Sequence, residues 1–316
     1  MRFIPPSVIL PTRHLIYKEH SMGIFRFNYR SEILGHYVDV TVVFPTDAYR
    51  CPPSSLPDNQ ASLVPISPDT PRYTPGMKFQ TVYLIHGGGD DDTLTYRYSN
   101  VEEAAQRNHV MLVTPNITNS FGIDTCYAVP YMTFVTEELP TVVQSLFASS
   151  PAREDNFIMG YAMGGNVALG CAINRPDRYR ACVDISGGIG MTLRADTLMA
   201  ELDGDHFRRN FPLYNATFGP SSAIPESKSD LRAQVLRHRA ANDPECSFTV
   251  VCGSREFIRQ RVENDVAVMQ ELNMDVHYIC AEEYSHDFKL WDRYMQLALD
   301  RILPLKRQAI FPDRKE

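Results

Sequence analysis

The stretch FIMGYAMGGNVALG, residues 157–170, decides the fold. Phe157-Ile158-Met159 is a short apolar run that reads as a buried strand, and Gly160 begins a sharp turn. Gly164-Gly165 then opens a run from Asn166 to Asn174 with helical patterning. Strand, tight turn and helix form the frame of a G-x-S-x-G nucleophile elbow, in which a strained turn lifts one side chain above the end of a sheet. Small residues flank that position because the strand and helix backbones nearly touch there. Here the pattern is Gly160-Tyr161-Ala162-Met163-Gly164. The frame is present and the hydroxyl is missing.

Working outward, Thr81 to Ile85 is a continuous apolar strand that ends in His86-Gly87-Gly88-Gly89. A helical segment, Asn100 to Arg107, leads to a second such strand, Val110 to Thr114. Phe134 to Phe147 is helical in pattern, with a kink or restart expected at Pro140. Beyond the elbow come strand Cys182 to Ser186, strand Phe248 to Cys252, helix Ile258 to Leu272, strand Val276 to Cys280 and helix Phe288 to Ile302. Strands that are apolar on both faces and alternate with helices imply a mostly parallel sheet covered on both sides, an α/β fold. Ile24 to Arg30 and His36 to Val43 alternate apolar and polar residues, which predicts an antiparallel hairpin at the N-terminal edge. Residues 46–78 are rich in proline, serine and aspartate and read as a long surface loop. Residues 190–244 break the rhythm and are expected to form a lid or cap insertion. With no repeat and no second core, residues 1–316 read as one domain.

The chain has 316 residues, 44% hydrophobic and 22% charged, with a formal net charge of −7. That balance gives no electrostatic reason to expect nucleic acid or an anionic membrane as partner. No apolar run approaches the ~20 residues of a membrane span. Prolines interrupt the N-terminal MRFIPPSVILPTRHLIYK, which argues against a signal peptide. Seven cysteines, none in C-x-x-C spacing, read as free thiols of a cytoplasmic protein. Asp90-Asp91-Asp92 lacks the alternation of a calcium loop and reads as a solvated acidic turn, so neither metal nor cofactor is expected. A homodimer through the N-terminal segment or the hairpin edge is compatible with the sequence but not required by it.

In parallel α/β sheets, ligands meet the carboxyl ends of the strands. Four unusual loops follow such ends: His86-Gly87-Gly88-Gly89, the elbow at Ala162, Gly253-Ser254-Arg255-Glu256-Phe257, and Tyr284-Ser285-His286-Asp287. Singly each has an ordinary structural reading: a tight turn, a solvated carboxylate at a helix start, a core histidine. Their order of nucleophile position, acid and histidine is that of the α/β-hydrolases.

The segments YLIHGGGDDDTLTYRYSNVEEAAQ, YMTFVTEELPTVVQSLF, NFIMGYAMGGNVALGCAINRPDRYRACVDISGG, VVCGSREF and YSHDFKLW resemble the esterase group within the α/β-hydrolases. That group includes S-formylglutathione hydrolase (esterase D), tributyrin esterases, feruloyl and cinnamoyl esterases and the mycolyltransferases. The likeness runs over about residues 20–305, with two departures: Ala162 where the family carries serine, and Glu256 where relatives usually carry aspartate. It implies His286 as general base, Glu256 as the group that orients the imidazole, and an oxyanion hole from the N–H of Met163 with that of Gly88, or of Gly87. The expected partner is a small-molecule ester, feruloyl, cinnamoyl or short-acyl. Aromatic residues of 121–131 and 190–244 (Tyr127, Tyr131, Phe207, Phe211, Tyr214) and Trp291, beyond His286, are expected to wall the pocket.

Alanine at 162 has two accounts. It is the minimal truncation of a serine, made to hold an uncleaved ester, or the chain is a natural pseudo-hydrolase that binds a ligand or partner without cutting. The intact surroundings favour the first. Either way the chain is expected to be nearly inactive.

Overall fold

The computed structural model describes residues 23–45, 75–210 and 212–311. Eight strands form one sheet: β1 (Gly23–Arg30), β2 (Tyr37–Phe44), β3 (Gln80–Ile85), β4 (Val110–Pro115), β5 (Asn156–Tyr161), β6 (Ala181–Ile185), β7 (Ser247–Gly253) and β8 (Val276–Ala281). They lie in the order β1-β2-β4-β3-β5-β6-β7-β8. β1 and β2 pair antiparallel as the predicted hairpin, β2 pairs antiparallel with β4, and the other pairings are parallel. Each predicted strand is present, with ends shifted by one or two residues. All of 46–74, most of the predicted proline-rich loop, and 1–22, the proposed dimer segment, lie outside the described residues.

The central strands β3, β4, β5 and β6 are buried along their whole length. Successive side chains of a strand point to opposite faces, so a strand covered on both sides must be apolar throughout. Tyr83, Ile85, Val113 and Ile158 enter one core with Val167 and Leu169 of the elbow helix. Val82, Leu84, Leu112, Phe157 and Met159 enter the other with Leu290 and Leu299.

The helices are α1 (Leu94–Tyr98), α2 (Val101–Arg107), α3 (Tyr131–Thr133), α4 (Leu139–Leu146), α5 (Met163–Asn174), α6 (Ala195–Asp203), α7 (Asp205–Asn210), α8 (Pro212–Phe218), α9 (Leu231–Ala241), α10 (Arg259–Glu271) and α11 (Phe288–Leu297). A wider π turn over Phe134–Glu138 joins α3 to α4, and Pro140 falls in the first turn of α4. The backbone stays helical through Thr133, Phe134, Glu138 and Leu139, so the run is continuous, and the predicted interruption takes the form of this π turn ahead of Pro140. The elbow helix begins at Met163, three residues before the predicted Asn166, directly after the turn. In the predicted insertion, α6, α7 and α8 stand between β6 and α9, while α9 packs on α5 beside the sheet. No helix among the described residues is long and apolar enough to cross a membrane.

Candidate active site

The carboxyl ends of β3, β5, β6, β7 and β8 are stepped together by backbone hydrogen bonds. Ala162 N–H donates to Ile185 O (2.9 Å), Ser186 N–H to Val251 O (2.7 Å), and Ser254 N–H to Ala281 O (2.9 Å). Loops far apart in the chain therefore open onto one edge.

The elbow is as tight as its glycines imply. A Cβ on Gly160 would lie 2.2 Å from Gly164 O, and one on Gly164 would lie 2.1 Å from Ile85 O. Ala162 has φ +51° and ψ −124°, a conformation that costs an L-residue of order 1–3 kcal/mol and is kept only where the surroundings impose it. The turn holds the side chain out at the start of α5, where helical N–H groups point.

The predicted acid and base meet. His286 Nδ1 lies 2.6 Å from Glu256 Oε2. The other carboxylate oxygen, Oε1, accepts from Ser186 Oγ (2.7 Å) and Gly253 N–H (2.8 Å). Burial pushes the Glu256 carboxyl up, but the hydrogen bonds from His286, Gly253 and Ser186 outweigh it and hold it below the usual carboxylate range. It is thus an ionised partner suited to orient an imidazole and stabilise its charged form. Arg255 N–H donates to Tyr284 O (3.0 Å), which ties the acid loop to the histidine loop. Asp287 caps α11 through Lys289 N–H and Leu290 N–H, and so fixes where the helix leaves His286.

The glycine loop is braced from beneath. His86 is fully buried, and its Nε2 accepts from Ile117 N–H (3.0 Å), which leaves the proton on Nδ1 to donate to Gly87 O (2.8 Å). Burial lowers its pKa, so the ring stays neutral. Gly89 N–H is taken by Asn119 Oδ1 (2.7 Å), and Gly87 packs against the Tyr161 ring. A Cβ on Gly88 would stand 3.8 Å from Met163 Cβ, so Gly88 faces the start of α5.

Ala162, Met163, Gly87, Gly88, His286 and Trp291 line one cleft of about 500 Å³. Its other walls include Phe121, Ile189, Leu213, Tyr214, Phe257 and Ile258, with Asp90, Asn119 and Ser186 as polar contributions. Trp291 and Tyr214 are where the sequence suggests. Tyr127 is 54% exposed and Tyr131 is buried in the core, and neither lines the cleft. Aromatic character alone does not say which way a loop side chain turns. Phe211 and the side chain of Phe207 lie outside the described residues.

The acidic turn is not solvated as expected. Asp92 is buried and bonded to Arg26 Nε (2.7 Å) and Thr41 Oγ1 (2.7 Å); Asp91 caps the turn at Thr93 and Leu94; Asp90 accepts from Tyr161 Oη (2.8 Å). Each carboxylate has a separate structural partner, and among the described residues no cluster of three or more His, Cys, Asp or Glu could hold a metal ion. Of the cysteines, the six described are free.

Sequence reasoning passed over Ser186, Asn119 and Phe257. The available signal was position: Ser186 follows β6 on the same edge as the elbow, as Asn119 follows β4 and Phe257 follows β7.

Known proteins share this arrangement of chain. An acetyl esterase of Caldicellulosiruptor saccharolyticus is 22% identical over 280 residues, covering 88% of this chain and 97% of the relative. The substrate-bound structure of the fluorophosphonate-binding serine hydrolase FphF of Staphylococcus aureus superposes with a TM-score of 0.72 at 21% identity, over 89% of this chain and 98% of that one. A ferulic acid esterase superposes with a TM-score of 0.64 at 16% identity, over 90% and 98%. Residues 66–302 match the model of the Esterase family, described as "Putative esterase". With the eight-stranded sheet and its loop order, that match over most of its length makes this chain a member of the esterase family of α/β-hydrolases.

Proposed function

We propose that this chain is a serine carboxylesterase scaffold that binds a small ester and is held inactive by alanine at the nucleophile position. The observation that carries the reading is the 2.6 Å Glu256–His286 pair opening onto the same cleft as Ala162 on its strained turn. A serine oxygen restored at 162 attacks the ester carbonyl while His286 Nε2 takes its proton. The negative oxygen of the tetrahedral intermediate rests on the N–H groups of Met163 and Gly88. Collapse expels the alcohol, which takes the proton back from His286, and water then releases the acid by the same steps.

The acyl group is of the feruloyl or cinnamoyl type or a short acyl chain. The acetyl esterase and the ferulic acid esterase to which the chain is similar span that choice. Phe121, Tyr214, Phe257 and Trp291 along the cleft favour an aromatic acyl group, which buries its ring against theirs.

Among the described residues that line the cleft, no other group is set to take over as nucleophile. Ser186 is the serine of the cleft, and its hydroxyl proton is committed to Glu256, not to His286. Ala162 reads as a truncation of the nucleophile that leaves turn, acid, base and amide donors in place, suited to trap an intact ester.

Comparing the chain with its Ala162→Ser variant on p-nitrophenyl acetate and methyl ferulate tests this reading. Turnover is expected only in the variant. Robust turnover by the chain itself would overturn the assigned nucleophile position. An inactive variant across short and aromatic esters would instead mark a receptor on a hydrolase fold.

A further inference from the structure

Glu256 differs from the aspartate usual at this place by one methylene, and so by one more rotatable bond. A longer carboxylate needs something to stop its rotation if it is to present one oxygen steadily to an imidazole. Gly253 N–H supplies part of that restraint. The rest comes from Ser186, a residue with φ +62°, in the left-handed region where a non-glycine residue is disfavoured. Glycine would adopt that backbone without penalty, so the presence of a side chain there needs a reason.

The reason lies in its contacts. Trp291 Nε1–H donates to Ser186 Oγ (3.2 Å), and an indole nitrogen can only donate. That bond occupies a lone pair of the hydroxyl and directs the hydroxyl hydrogen to Glu256 Oε1, 2.7 Å away. Glu256 Oε2 then faces His286 Nδ1. The circuit closes through space: the His286 and Trp291 rings meet edge to face, 5.0 Å between centroids and 88° between planes. Tyr161, in the elbow, stacks on the indole at 4.9 Å and 29°. Ser186 is 1% exposed, so water does not compete for its hydrogen bonds.

We propose that Ser186 is a positioning residue of the acid–base pair: with Trp291 it fixes the rotation of the Glu256 carboxylate and thereby the orientation of His286. The proposal rests on the esterase reading for its kinetic consequence, but its structural consequence can be read in the chain as it stands.

Two measurements test it. In the Ala162 protein, proton NMR of the His286 Nδ1–H is expected to give a downfield resonance that is lost or moved upfield in Ser186→Ala. In the Ala162→Ser background, Ser186→Ala is expected to lower kcat about 10- to 100-fold with KM nearly unchanged, as a small misorientation of a catalytic group does. Trp291→Phe, which removes the donor and keeps a ring, is expected to shift both readouts the same way by less. It also keeps the proposal testable should Ser186→Ala fail to fold. An unchanged His286 resonance in folded Ser186→Ala or Trp291→Phe protein overturns the positioning role. An inactive Ala162→Ser protein sinks the esterase reading alone, because the resonance still decides the role of Ser186.

Discussion

At φ +51° the backbone of Ala162 carries a strain that only its place in the turn explains. Ala162→Gly removes the Cβ that makes this conformation costly. Although glycine also gains freedom in the unfolded chain, the strain is the larger effect. The variant is expected to be about 1 kcal/mol more stable by denaturant titration, and a loss of stability would mean the turn is not strained. A second residue beneath the elbow behaves differently. Asp184 is 2% exposed, its Oδ1 has no hydrogen-bond partner among the described residues, and burial pushes its pKa up to about 8. Its folded value lies above the ordinary carboxyl value, so the native state binds the extra proton. The stabilisation is complete below about pH 4 and is lost as pH rises toward about 8. Stability of the chain is therefore expected to fall across that window through this group, and Asp184→Asn to flatten the slope. An identical slope in the variant would show that Asp184 is ionised throughout. Asp184 lies inside an apolar strand run, so the sequence places it near the elbow but does not show that one of its oxygens goes without a partner.

Elements were legible wherever burial is two-sided. A strand such as Asn156–Tyr161 must be apolar on both faces, and that leaves a signal in any reading order. The elbow was legible for a related reason, since close backbone approach admits only glycine. Gly164→Ala is expected to destabilise the fold by about 1–3 kcal/mol, because the new methyl would meet the backbone oxygens of Ile85 and His86, which cannot swing aside. Unchanged thermal stability would mean that helix and strand are further apart than described. Contacts between elements were much less legible. Nothing in the sequence near Ser186 announces that Trp291, 105 positions later, will donate to it. Nor does Tyr127 reveal that it faces away from the cleft. Such pairings depend on where loops turn after the strands end, which neither periodicity nor composition records.

At the scale of the molecule, one wall of the cleft, Leu213 and Tyr214 of α8, belongs to a group of inserted helices that an ion pair joins to α10. Arg261 of α10 pairs with Glu201 of α6, and both side chains are nearly buried. Arg261 Nη2 also donates to Gly190 O (2.9 Å), and Tyr214 of α8, which walls the cleft, donates to the same Glu201 at 2.9 Å. One guanidinium thus links the body to two of the three helices inserted between β6 and α9. Removing one partner of a buried pair leaves the other charge without compensation, at about 3–5 kcal/mol. In Arg261→Leu that cost falls on Glu201, on the inserted helices, and on the buried Asp265 of α10, whose charge the guanidinium also offsets, while the sheet keeps its own hydrogen bonds. The expected outcome is local: faster amide exchange across α6 and α8, protection in β5 and β6 nearly unchanged, and weaker binding of an aromatic ester by the Ala162 chain. Glu201→Gln keeps the shape and a hydrogen bond to Tyr214 while discharging the pair, so it is expected to loosen the same helices by less. Exchange that rises equally in α6, α8 and the central strands would show that these helices unfold only with the whole domain, and that the cleft has no separately movable wall.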